Sequence, residues 1–107
     1  MNKERDALVA YRLGQADEAL ESARILLDHE KYPSSVSRSY YAMFYAVLAL
    51  LARENHRVSK HSAAISVFNR EFVKKGIFDR DLSRWLQEAF DLRQRSDYRE
   101  MFSVTGE

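Results

Sequence analysis

The sequence contains no cysteine, which excludes disulfide bonds, thiolate metal sites and cysteine nucleophiles. Its longest apolar run, residues 46–52, is far shorter than the ~20 residues that a membrane-spanning helix needs. The first twenty residues carry charges of both signs and no apolar block, so no signal peptide is expected. We therefore expect a soluble, cytoplasmic protein that does not cross a membrane.

An excess of charge of one sign is also lacking. The 17 basic and 16 acidic side chains leave a net charge of +1, so composition alone does not indicate a nucleic-acid-binding protein. The 107 residues fit a single domain, 1–107, and are enough to bury a core without covalent staples.

Only one proline and three glycines are present, so few positions interrupt a helix. Long segments with a 3.6-residue period, and almost no alternation, predict helices rather than strands. The short links between them favour antiparallel neighbours. The expected fold is therefore all-α, an antiparallel up-and-down helical bundle of four or five helices.

The first helix is expected over about residues 3–29. One stripe on it is apolar: Leu8, Tyr11, Ala16, Ala19, Leu20, Ala23, Leu26 and Leu27. Gly14 indicates either a close helix crossing or simple tolerance of a weak helix former. Pro33 should end this segment, because a residue before proline disfavours the helical conformation, and Ser34 or Ser35 can cap the next helix.

The second helix, which reaches about Glu54, is apolar on two faces. One row is Tyr41, Phe44, Leu48 and Leu51, and the other is Tyr40, Met43, Val47 and Leu50. A helix that is apolar nearly all round must be buried on more than one side. We expect it to be both the central helix of the bundle and the interface of a homodimer.

Two further helices complete the prediction. Ser59 is a plausible cap for the third, whose stripe is His61, Ile65, Phe68 and Phe72, and which stops at Lys74, Lys75 and Gly76. Asp79 or Asp81 opens the fourth. Its predicted buried face is Leu82, Trp85, Leu86, Ala89 and Phe90.

Two arginines fall on faces that should be buried. Arg93 continues the stripe of the fourth helix, with Asp97 one turn further on as its nearest candidate partner. Arg38 precedes Tyr41 and Tyr45 by three and seven residues. Either both side chains extend to the end of the bundle with their charged heads in water, or they form a polar cleft with Asp97 and tyrosine hydroxyls.

His61 lies near the positive end of its helix, where it should resist protonation and could bind an anion, although a structural role at the helix start is the simpler interpretation. The three histidines are too scattered to suggest a metal triad, and we expect neither a metal nor a cofactor. The tyrosines Tyr40, Tyr41 and Tyr45 can serve as core residues or offer hydroxyls to a ligand.

Residues 38–46, Arg-Ser-Tyr-Tyr-Ala-Met-Phe-Tyr-Ala, resemble the central helix of HEPN domains (higher eukaryotes and prokaryotes nucleotide-binding). Further similarity lies, in order, at Lys60-His61, at Phe68 and Phe72, at Arg93 and at Ser96-Asp97-Tyr98. The resemblance covers about residues 7–99. It implies an antiparallel bundle that commonly dimerises, and that in many microbes is encoded beside a small nucleotidyltransferase, some such pairs acting as toxin and antitoxin.

Active members of the family are metal-independent endoribonucleases. Their site combines an arginine with a histidine that follows after four to six intervening residues. Arg93 matches the arginine, but residues 98–100 are Tyr98, Arg99 and Glu100. The resemblance implies that Tyr98 either takes the place of the histidine as a catalytic residue or is a target of modification by the nucleotidyltransferase.

Three functions therefore stay open. The first is a HEPN module that binds a nucleotide, RNA or a partner protein through Arg38, Tyr41, Tyr45, His61 and Asp97 without cleavage. The second is a ribonuclease toxin that uses Arg93 with a different base, for which His61 is a candidate. The third is a structural helical adaptor in which the arginines serve packing and solubility.

Overall fold

A computed structural model describes the backbone of residues 3–58 and 60–105 and the side chains of residues 3–58 and 60–95. Within this part of the chain the fold is all-α, as predicted. It has four α-helices: α1 (Lys3–Asp28), α2 (Tyr32–Arg53), α3 (His61–Phe68) and α4 (Arg80–Thr105). A π-helical turn, Asn69–Val73, continues α3. None of the helices in the described part is long and apolar enough to span a membrane.

α2 is the central helix, since it packs against α1, α3 and α4. Its core face is a row with spacings of four, four and three residues: Tyr40, Phe44, Leu48 and Leu51, all at most 3% exposed. This row packs against Ile65, Phe68, Phe72 and Leu86. Each large side chain removed from water in this way stabilises the fold by roughly 1.5–3 kcal/mol.

The neighbouring row of α2 remains accessible. Met43, Val47 and Leu50 are only half-buried, and they line an open apolar groove of about 370 Å³. The other side of the groove is formed by Phe68, Phe78, Leu82 and Leu86. The predicted membership of the two rows is wrong for Tyr40 and Tyr41: the fully buried Tyr40 lies with Phe44, Leu48 and Leu51, whereas Tyr41 is only partly buried.

The predicted stripe of α1 is confirmed only in part, with Leu8, Ala16 and Leu26 partly buried. Only Ala19 and Ala23 are buried, whereas Tyr11, Leu20 and Leu27 are about half exposed or more. The reason is that α1 packs against α2 along a narrow seam, where small side chains let the two backbones approach. Ser35 crosses this seam and donates a 2.8 Å hydrogen bond to the Ala23 carbonyl oxygen.

Gly14 does not mark a close crossing. It is exposed, and a Cβ placed there would meet nothing within 4 Å. Of the two interpretations, tolerance of a weak helix former is therefore the one that fits.

The break between α1 and α2 lies earlier than predicted. α2 begins at Tyr32, before Pro33, because the first turn of a helix needs no proline N–H group. The chain reverses at Glu30, whose φ is +60°. Lys31 occupies the N-cap position without a side-chain hydrogen bond, and Ser35 is used in the seam. The predicted serine cap is wrong.

The later helix ends agree better with the sequence. Gly76 has a φ of +78°, the left-handed conformation expected of a glycine that ends a helix. The Asp79 carboxylate accepts a 3.0 Å hydrogen bond from the Asp81 N–H at the start of α4. On α4, Leu86 is buried but Trp85 is 52% exposed, so its predicted burial is wrong. The predicted cap Ser59 lies outside the described residues.

Candidate functional site

Three helices meet at a cluster of aromatic and basic side chains, which we call the arginine–histidine cluster. α2 contributes Arg38, Tyr40 and Tyr41, α3 contributes His61 from its first residue, and α4 contributes Arg93. The spacing of three residues between Arg38 and Tyr41 keeps both on one face of α2. His61 is the first residue of α3, and its partly buried ring packs against α2.

Tyr40 and His61 form the innermost contact. The Tyr40 hydroxyl and His61 Nδ1 lie 2.7 Å apart in a hydrogen bond between residues 21 positions apart in the chain. The His61 ring also stacks on Phe44, with centroids 4.0 Å apart and planes inclined by 6°. Aromatic packing and this hydrogen bond therefore fix the orientation of the imidazole.

The two rings are held in their uncharged forms. Burial raises the pKa of Tyr40 to about 12, although the nearby Arg93 opposes this effect. The pKa of His61 is lowered, mainly by burial and in addition by the positive charge of Arg93. His61 is therefore a neutral imidazole near pH 7, which can give or accept a proton at its second nitrogen.

Both guanidinium groups converge on Tyr41. The Cζ of Arg38 lies 4.7 Å from the centroid of the Tyr41 ring, and the Cζ of Arg93 lies 5.1 Å from it. Arg93 is also 5.8 Å from the Tyr40 ring. Cation–π contacts of this kind hold an arginine in place while leaving N–H groups to donate elsewhere. Both guanidiniums therefore pack on one aromatic ring, whereas Asp97, the other charged member of the predicted cleft, lies outside the described side chains.

Tyr45 extends the cluster toward α1. Its ring lies 5.7 Å from that of Tyr41 and 6.2 Å from that of Phe44. Together with Arg38 it lines a small polar pocket of about 210 Å³ between α1 and α2, which we call the α1 pocket. The rest of its lining comes from α1: Gln15, Glu18, Ala19 and Ser22.

The structure thus brings together four of the predicted site residues, Arg38, Tyr41, His61 and Arg93, with Tyr45 at the edge. The other two, Asp97 and Tyr98, lie outside the described side chains. The sequence left a core role and a ligand-binding role open for Tyr40, and the structure shows a fully buried residue whose hydroxyl contacts His61. Phe90, 5.5 Å from Tyr40, was predicted only as a core residue.

Chemically, the cluster suits an anion. Two guanidiniums can donate paired hydrogen bonds to phosphate oxygens, and a neutral imidazole beside them can exchange a proton with the bound group. Among the described residues there is no group of three or more histidine, aspartate or glutamate side chains that could hold a metal ion.

A central helix carrying arginine and tyrosines, packed against a helix that starts with histidine, defines an all-α domain with a basic, aromatic side-chain cluster. The profile of the HEPN domain matches residues 9–107. The chain therefore belongs to the HEPN family, as the resemblance of α2 predicts.

Named proteins from other organisms are similar to this chain over most of its length. The chain is 40% identical over 104 residues to a protein of Thermotoga maritima named a UPF0332 protein, covering 97% of this chain and 79% of the relative. It is 39% identical over 84 residues to a Methanocaldococcus jannaschii protein named "Putative toxin", covering 78% of this chain and 57% of the relative. A second relative from the same organism, also named "Putative toxin", is 32% identical over 98 residues, covering 92% of this chain and 73% of the relative. No solved structure matches the chain.

Proposed function

We propose that this HEPN domain is a toxin-like module that binds RNA, with Arg38 and Arg93 holding a phosphate of the RNA backbone. The observation that carries the proposal is the convergence of both guanidiniums on the Tyr41 ring, beside a neutral His61. Arg38 makes no ion pair with any side chain in the described part of the chain, so its charge is available to a ligand.

Two alternatives are less well supported by this geometry. A purely structural adaptor has no need to bring two like charges together on one ring, since each arginine could extend into water at little cost. A nucleotide could occupy the same cluster, because it offers the same phosphate. RNA is preferred because the matching relatives carry toxin names and because accessible aromatic rings beside arginines suit a single strand.

The proposal predicts that Arg93→Gln weakens binding of a short single-stranded RNA by about tenfold or more, since charge-assisted hydrogen bonds contribute roughly 1.5–3 kcal/mol each. Fluorescence anisotropy at several salt concentrations measures this directly. The slope of log affinity against log salt should also become shallower by roughly 0.7 for each RNA phosphate that the protein no longer neutralises.

The matched control is Arg95→Gln, which removes the same charge from an exposed position two residues away on α4. It should reduce RNA affinity only slightly. Equal effects of the two substitutions, or RNA binding that is insensitive to both, would contradict a phosphate site at Arg93.

A second candidate function, RNA cleavage, is favoured by the contact between Tyr40 and His61. If His61 Nδ1 carries the hydrogen and donates it to the Tyr40 oxygen, the second ring nitrogen is free to accept a proton. It would take the proton of a ribose 2′-hydroxyl while that oxygen attacks the adjacent phosphorus. Arg93 would stabilise the charge of the pentacoordinate phosphate, and the leaving 5′-oxygen would depart after taking a proton from solvent.

This reaction yields a 2′,3′-cyclic phosphate and a 5′-hydroxyl, and needs no metal. Cleavage of a labelled RNA in excess chelator should fall by at least about 100-fold in His61→Gln, because general base catalysis typically contributes ~10²–10⁴-fold. RNA binding should change little. Cleavage at the same rate in His61→Gln would eliminate His61 as the base. If the unsubstituted protein does not cleave RNA, RNA binding is the only one of the two functions that remains.

We further propose the partners of the module. The open groove beside Met43, Val47 and Leu50 supports a homodimer formed through α2, because contiguous apolar surface of this kind typically marks an interface. A toxin-like module also needs a partner that restrains it, and the resemblance to HEPN domains suggests a small nucleotidyltransferase for that role. Tyr98 is then the residue to test for modification by that enzyme.

A further inference from the structure

The α1 pocket lies directly beside the proposed phosphate site, because Arg38 belongs to both. Along α2, Arg38, Tyr41 and Tyr45 follow one another at spacings of three and four residues on one helix face. Arg93 approaches this row at Tyr41, and the pocket opens beside Arg38 and Tyr45. A phosphate held by the two arginines would therefore place its attached nucleoside within reach of the pocket.

The lining of this pocket differs sharply from that of the large groove. Its α1 wall presents Gln15, Glu18 and Ser22, at spacings of three and four residues, to the same space. No cation of the described residues forms an ion pair with the Glu18 carboxylate, although Arg38 shares the pocket. A carboxylate in such a position offers two acceptor oxygens to a ligand.

Gln15 is already oriented by a neighbour. Its Oε1 accepts a 2.9 Å hydrogen bond from Arg12 Nη1, which leaves the amide NH₂ as the side that can donate. The Gln15 amide NH₂ is therefore a hydrogen-bond donor, and one helical turn further on the Glu18 carboxylate provides two acceptor oxygens. Tyr45 adds an aromatic face on the opposite wall, of the kind on which bases stack.

This order of groups matches the edge of guanine better than that of the other bases. Guanine presents a carbonyl oxygen, then an N1–H, then an exocyclic NH₂, so the last two can donate side by side to one carboxylate. Adenine and cytosine each place a lone acceptor nitrogen beside their amino group, and uracil has a single N–H between two carbonyls. Each of these would direct an acceptor at Glu18.

We propose that the α1 pocket is a guanine-selective base subsite of the RNA-binding cleft, with Glu18 as its specificity-determining residue and Gln15 as the donor to the base carbonyl. This inference rests on the proposed function, since the phosphate site at Arg38 and Arg93 delivers the base to the pocket. It assigns a chemical role to a part of α1 that the arginine–histidine cluster does not use.

The test compares GMP with IMP, which differs from it only by lacking the exocyclic amino group. NMR titration of the full chain with each nucleotide, and with inorganic phosphate alone, gives three affinities. GMP should bind about tenfold or more tightly than IMP, since a good bidentate pair discriminates by ~1–3 kcal/mol. Glu18→Gln should abolish this difference without weakening the binding of inorganic phosphate, because the substitution removes a negative charge near Arg38.

Glu21→Gln is the matched control, because it makes the same charge change on an exposed position of α1 that does not line the pocket. It should preserve the preference for GMP. Equal affinities for GMP and IMP, together with phosphate binding that is abolished in Arg93→Gln, would overturn the guanine subsite and leave the proposed function intact. If neither inorganic phosphate nor any nucleotide binds, the proposed function fails and the subsite fails with it.

Discussion

The protonation states of Tyr40 and His61 are set by their place between three helices. Folding moves the imidazole from water to a partly buried position beside Arg93, which disfavours its charged form and lowers its pKa. As the pH falls, the unfolded chain therefore takes up a proton on His61 before the folded chain does. The free energy of unfolding should decrease as the pH drops below the ordinary histidine pKa of about 6.5.

Urea unfolding at about pH 8 and about pH 5.5 measures this effect across the range in which histidine titrates. The variant His61→Gln keeps a side-chain hydrogen-bonding group for Tyr40 but cannot titrate, so it should lose less stability on acidification than the unsubstituted protein. His29 and His56 are present in both proteins, so their contributions cancel in the comparison. An identical decrease in the two proteins would show that His61 does not have a lowered pKa.

At the scale of the helices, the two described glycines are in opposite situations. Gly14 lies inside α1 with open space around it, so Gly14→Ala should raise the free energy of unfolding by about 1 kcal/mol through helix propensity. Gly76 has a φ of +78°, so Gly76→Ala should lower it by roughly 1–2 kcal/mol through backbone strain, although no atom obstructs the added Cβ. Chemical denaturation of the two variants measures both changes in the free energy of unfolding. Changes of the same sign would contradict the opposite backbone requirements assigned to Gly14 and Gly76.

The existence of the helices could be predicted because each has a long 3.6-residue pattern, but the buried face of α1 could not. A helix that packs against one neighbour buries only a seam, so Ala19 and Ala23 suffice and larger apolar residues stay exposed. Sequence patterns record apolar residues, not the number of neighbours that a helix has. The same limit led to the wrong burial of Trp85.

Most residues of the candidate site could be predicted from the sequence, but the contacts between them could not. Helical register alone placed Arg38 and Arg93 on faces directed at the core. The contact between Tyr40 and His61 joins residues 21 positions apart and depends on how α3 crosses α2, which no local pattern encodes. The α1 pocket was missed for the same reason, since Glu18 is an ordinary helix-surface residue until α2 lies beside it.

For the whole molecule, the central position of α2 has a consequence for assembly. One of its rows forms the core, and the other lines the open apolar groove that we propose as the dimer interface. Val47→Asp introduces a charge on this half-buried row, so it should shift the protein toward monomer by at least about tenfold in dissociation constant, as expected for an unpaired charge at an apolar contact.

Sedimentation velocity at several protein concentrations measures the change. Ser39→Asp, on an exposed position of the same helix, is the control and should leave association unaffected. If the unsubstituted chain is monomeric at micromolar concentrations, the groove is not a self-association surface.

The central claim is that Arg38 and Arg93 hold a phosphate beside the imidazole of His61. The most direct measurement is the ¹⁵N NMR spectrum of the His61 imidazole during titration with a short RNA. A phosphate held beside the ring favours its protonated form, so the apparent pKa of His61 should rise on RNA binding. At an RNA concentration that saturates the unsubstituted protein but not Arg93→Gln, this rise should be smaller in the variant. An RNA-bound protein in which the His61 signals and pKa are unchanged would contradict the account.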